Sequence, residues 1–219
     1  MLQQGAIVFG WMTFTTALAV TAPFGDSSTL GYLLAAFACT LTLPAAFLIA
    51  WRRSPRWRER VMTIDLAPVV LLETGRVLGL AMLLLYSVHR LSGWFAFPGG
   101  GIDVFIGVTA LTMAYVVLPM RPFPSRLFRA WNVFGLLDFV VGWALVFLFS
   151  PTVLGVFAGS DPASTTEGFI RFPLSFIPMF GVPFSACIHL IALFQTRGGR
   201  VPPVNPLFHE AMPEVQALR

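Results

Sequence analysis

Glu73 and Arg76 stand three residues apart inside the apolar stretch 66–91, and Asn132, Asp138 and His189 lie inside two further apolar stretches. A carboxylate, a guanidinium and an imidazole brought together can pair as ions, hold a proton or a small solute, or serve as acid and base on a substrate. In a bilayer such side chains are costly and normally turn inward onto a partner or a wet cavity. Glu73 and Arg76 can pair within one helix, and Asp138 can offer Arg76 a second carboxylate. That trio carries one formal negative charge in excess, which protonation of His189 would cancel, so His189 is the natural variable.

Membrane-spanning helices must position these residues. The 219-residue chain is 57% hydrophobic and only 11% charged, whereas charged residues make up about 25% of a soluble chain. Its apolar residues come in blocks long enough to cross a hydrocarbon core of about 30 Å. The expected fold is an all-α polytopic bundle with six spans, at about 5–22, 30–51, 66–91, 102–118, 130–149 and 173–195, followed by a mobile proline-rich tail over 196–219. No basic residue precedes the first block, so it reads as a retained helix and not as a secretory signal.

Arginine placement orients the bundle. All fourteen basic residues are Arg, and eleven fall after the second span, after the fourth span or in the tail, against Arg90 and Arg171 on the other side. The positive-inside rule then puts both termini in the cytoplasm. At about 1.5 Å of rise per residue, Glu73 lies roughly 10 Å, Arg76 15 Å, Asp138 12 Å and His189 9 Å from the cytoplasmic ends of their helices. Asn132 sits nearer the surface, and the group forms one polar layer in the inner leaflet.

Faces agree with depths. Asn132, Gly135, Asp138 and Gly142 follow one helical stripe, with the glycines leaving room for the polar groups. Gly75 and Gly79 form a GxxxG, and two stripes of small residues read as packing faces: Gly31, Ala35, Ala38, Thr42 and Ala45, then Asp103, Gly107, Ala110 and Ala114. His89 and Asp103 are secondary candidates on the outer side, both expected to be solvated. Asp103, placed after a glycine-rich turn over 93–101, would cap the start of its helix. Pro178 and Pro183 should bend the last span and free carbonyls near Leu174 and Met179, which must find donors.

Several classes of function are excluded or disfavoured. The lack of Lys rules out a Schiff base. No phosphate-binding glycine loop, HExxH or GxSxG motif occurs. His89, His189 and His209 are too dispersed for a bis-histidine haem or a three-ligand zinc site, so neither a metal nor a cofactor is expected. Cys39 and Cys187 lack a CxxC partner and read as buried thiols. The arginines lie between apolar blocks, which fits a membrane and not a nucleic acid as partner.

The segments WNxxGxxD, here Trp131, Asn132, Gly135 and Asp138, and IPxFxVPxxxxxH, here Ile177, Pro178, Phe180, Val182, Pro183 and His189, resemble those of small bacterial inner-membrane proteins with six helices. That resemblance implies a bacterial inner membrane and carries no activity with it. Three readings of the polar layer stay open. It can bind a small solute, ion or proton, in a proton-coupled transporter working as a homo-oligomer. It can lock a structural or accessory subunit of a larger membrane complex. It can belong to an intramembrane enzyme on a lipid or isoprenoid, with Glu73, Asp138 or His189 as acid or base.

Overall fold

The computed structural model describes residues 30–203, together with Gly10, Thr13 and Ala17; the expected first span and residues 204–219 of the tail lie outside the described residues. Every regular element among the described residues is helical: α1 (Leu30–Arg53), α2 (Pro55–Met62), α3 (Leu66–Ser87), α4 (Gly93–Val117), α5 (Ser125–Leu148), α6 (Glu167–Ile170) and α7 (Ile177–Gln195), with short 3-10 turns at Pro162–Ser164 and Arg197–Gly199. Of these, α1, α3, α4, α5 and α7 are long and apolar enough to cross a membrane. The described chain is an all-helical membrane bundle.

Polar side chains tie up both ends of the bundle. At the arginine-rich end, Ser54 caps α2 by accepting from the Trp57 amide at 3.2 Å, with Pro55 in the first helical position. Gln195 at the end of α7 donates to the carbonyls of Val61 (2.7 Å) and Ile64 (2.9 Å), and Arg129 donates to that of Leu193 (3.0 Å). At the opposite end, the segment after α5 folds back over the helix ends: the Ser92 amide donates to Thr165 at 2.9 Å and the Thr166 hydroxyl to Val146 at 3.0 Å.

In α3, residues 72–79 are wound as a 3-10 helix between two α-helical stretches. With three residues per turn, side chains at i and i+3 eclipse. Val70, Glu73, Arg76, Gly79 and Met82, spaced by threes, are accordingly all buried, although in a continuous α-helix such a row would drift around the axis. The local winding therefore turns both charges and the packing glycine toward the bundle together.

In α4, the stretch 93–101 is helical and not a turn: an α-helical start at Gly93–Phe95 runs through a π-helical segment, Ala96–Gly100, into Gly101–Thr112. Backbone groups at membrane depth must bond internally, which outweighs the poor helix propensity of three glycines. Those glycines serve contact. A Cβ on Gly100 would lie 2.7 Å from the Gly79 carbonyl, one on Gly79 2.6 Å from the Asp103 Cβ, and one on Gly107 2.7 Å from the Val77 amide nitrogen. Gly75 has nothing within 4 Å, so only the second glycine of the GxxxG makes the close approach. The Asp103, Gly107, Ala110 and Ala114 stripe is buried.

The stripe expected in α1 faces the other way. Gly31, Ala38, Thr42 and Ala45 are exposed, while Tyr32, Leu33, Ala36, Cys39, Thr40 and Phe47 are buried. Proline chemistry in α7 explains the choice. A π-turn over Ile177–Gly181 shifts the hydrogen-bond register by one, so that the Val182 amide donates to Ile177. Pro183 then leaves the Pro178 carbonyl, and not that of Met179, without a helical donor, and the Thr40 hydroxyl fills the gap at 2.5 Å. The Leu174 carbonyl accepts locally from Ile177 at 2.9 Å.

Candidate functional site

Arg76 is the hub of the polar centre. Its Nε donates to Asp103 Oδ1 at 2.6 Å, its Nη2 to Asp138 Oδ2, and its Nη1 to His189 Nε2 at 3.2 Å, with Glu73 Oε2 at 3.9 Å from the same nitrogen. The guanidinium carbon sits 4.5 Å over the Phe139 ring, a further favourable contact for a cation. One side chain on α3 thus joins α4, α5 and α7.

The hydrogen-bond directions around His189 fix its form. Asn132 donates its amide to the Phe128 carbonyl at 2.8 Å, which turns Asn132 Oδ1 toward His189 Nδ1 at 3.0 Å. Nδ1 must therefore carry the proton, leaving the Nε2 lone pair to accept from Arg76. In this form His189 Nε2 accepts from Arg76, with Glu73 Oε2 3.6 Å from the same nitrogen. Gly135 makes the room: a Cβ there would lie 2.3 Å from His189 Nε2. Gly142, two turns further on, has open space around it.

Glu73, Arg76, Asn132, Asp138 and His189 thus converge as their positions and faces suggested, and all are buried. His89 lies apart and exposed, with a left-handed backbone at φ 56°. Asp103 is the correction. Expected at the outer surface as a solvated cap, it is only 8% exposed and bonded to Arg76, because α4 starts at Gly93 and carries Asp103 about 15 Å along the helix. The early starts of α4 at Gly93 and α5 at Ser125 also put the cluster near the middle of these helices. Ser185 was missed. Its hydroxyl donates to Glu73 Oε2 at 2.5 Å, and its place four residues before His189, on the same helical face, was the available signal.

Asp103 changes the charge balance. Three carboxyl groups, Glu73, Asp103 and Asp138, surround a single guanidinium, and the next basic side chains belong to the ends of the bundle. Leaving two buried charges uncompensated would cost several kcal/mol each, about the effective penalty for an ion taken out of water. The centre must hold protons or a cation. Glu73 Oε1, in a side chain with no exposed surface, has no hydrogen-bond partner within the protein. Glu73 lines a cavity of about 260 Å³ between α3 and α7.

Residues 33–197 match the family model described as Domain of unknown function (DUF8737). The chain belongs to that family. No curated protein and no solved structure matches it.

Proposed function

We propose that this protein is a membrane carrier whose Glu73, Arg76, Asp103, Asp138 and His189 centre takes up protons or a small cationic solute and releases them on the other side. The observation that carries this reading is the surplus of carboxyl groups around one arginine, with Glu73, whose buried Oε1 has no partner within the protein, in the wall of a cavity. An arrangement whose only task was to hold helices together would be cheaper with its charges matched. The π-turn of α7 and the locally rewound α3 supply backbone that can change shape at the same level.

The setting we propose is the inner membrane of a bacterium, with six spans, both termini cytoplasmic and more than one copy in the working unit. Arginine distribution supports the orientation. Proteoliposomes loaded with a pH-sensitive dye test the function. Wild type should dissipate an imposed pH gradient, and Glu73→Gln and Asp138→Asn should not; unchanged flux in both variants removes the reading.

One observation favours a second reading, an accessory subunit of a larger membrane complex. Arg76 already bonds residues of three other helices, which is what a structural lock would do. That reading expects a stoichiometric partner after purification in mild detergent, and no flux from the isolated chain.

A further inference from the structure

We infer that the solute taken up at this centre is a protonated amine with an apolar body, and that it enters sideways from the bilayer between α3 and α7. The inference rests on the carrier reading above and names its substrate class. The cavity has a polar floor and an apolar mouth. Its floor is lined by Glu73, whose unpartnered Oε1 is buried just behind the surface, and by Asp103. At the mouth, Leu72 and Leu78 are 56% and 70% exposed. The facing wall is a phenylalanine ladder at the start of α7 and the residue before it: Phe176 and Phe180 stack with centroids 4.8 Å apart, and Phe180 and Phe184 with centroids 5.8 Å apart.

Charge selects the ligand's sign. Nε, Nη1 and Nη2 of Arg76 are each bonded within the cluster, so the groups left to meet a ligand are carboxylates. An anion would meet repulsion there. Glu73 Oε1 lacks a donor, and an ammonium N–H supplies one in a charge-assisted hydrogen bond, which a quaternary ammonium cannot. No three His, Cys, Asp or Glu side chains come together as a metal-holding group among the described residues, whereas aromatic faces beside a carboxylate suit an organic cation. The cavity's 260 Å³ equals about nine water volumes at roughly 30 Å³ each, room for the head group and first few methylenes, with the remaining chain left in lipid. A proton and an ammonium compete for the same carboxylate, so binding one displaces the other, which is the coupling an exchanger needs.

The test uses the full chain in lipid nanodiscs, equilibrated with radiolabelled dodecylamine and with empty nanodiscs as background. Saturable binding is expected, displaced by unlabelled dodecylamine and not by dodecanoate. Glu73→Gln should weaken it about tenfold or more, the loss of one charge-assisted bond. Gly75→Leu, which fills open space at the mouth without touching the ion network, should abolish it. Displacement by dodecanoate equal to that by the amine, or undiminished binding in Glu73→Gln, overturns the inference. Proton flux measured on the same preparation separates the two levels. Flux without saturable amine binding sinks the substrate and leaves the carrier, whereas the absence of both sinks both.

Discussion

Adding one methyl group at Gly135 should unseat His189, whereas the same change at Gly142 should do nothing harmful. A Cβ at Gly135 lands 2.3 Å from His189 Nε2 and 2.5 Å from Cε1, so the ring must move or α5 must retreat from α7. Overpacking of this kind costs about 1–3 kcal/mol. A displaced ring also loses its 3.2 Å bond from Arg76, worth about 1.5–3 kcal/mol, and its 3.0 Å bond to Asn132, worth about 0.5–1.5 kcal/mol. Better helix propensity returns about 0.5–1 kcal/mol. The net loss is about 4 kcal/mol, which for a chain of this size lowers Tm by roughly 8–16 °C. Gly142→Ala keeps only the propensity gain, because nothing lies within 4 Å of its Cβ position. Thermal unfolding of the purified variants, followed by retention of the monodisperse peak, reads both. In a His189→Ala background the clash is gone, and Gly135→Ala should then cost less than about 1 kcal/mol. Equal losses at the two glycines, or a full loss that persists without His189, would refute the packing described for this site.

Gly79→Ala should lower Tm by several degrees, since its Cβ would lie 2.6 Å from the Asp103 Cβ and 2.9 Å from the Gly100 carbonyl, while Gly75→Ala, with open space around it, should be neutral in the same assay. Thr40→Val should cost about 1–3 kcal/mol by orphaning the Pro178 carbonyl, and Thr40→Ser should restore most of it, as read from unfolding midpoints. Arg76→Met removes the only cation among three carboxyl groups and should cost about 3–5 kcal/mol or prevent folding; adding Asp138→Asn should recover part of the loss, measured as yield of folded protein.

Much of this centre is legible in the sequence because two helical stripes and the positive-inside rule are strong constraints. Asn132, Gly135 and Asp138 keep their spacing along one face, and the burial cost of Glu73, Arg76 and His189 leaves them few places to go. Three features stay hidden for physical reasons. The 3-10 winding of α3 shows only as apolar and charged residues spaced by threes, a pattern that an ordinary α-helix also accommodates. Gly99, Gly100 and Gly101 look like a turn in water, but in lipid the backbone bonds internally and the glycines become a contact surface, which carries Asp103 inward. The choice of face in α1 depends on Thr40 reaching a carbonyl freed on α7, a tertiary demand with no trace in the local pattern of Gly31, Ala38, Thr42 and Ala45.

The most direct test of the central claim, that the surplus carboxyl group works and does not merely hold helices, is Glu73→Gln measured for flux and stability on one preparation. Gln can still accept from Ser185 and carries no charge, so the ion network around Arg76 is left with its two short carboxylate bonds. The expected result is a Tm at or above that of wild type, with proton movement in proteoliposomes abolished. Retained flux, or a loss of flux that merely tracks a loss of folded protein, would contradict it.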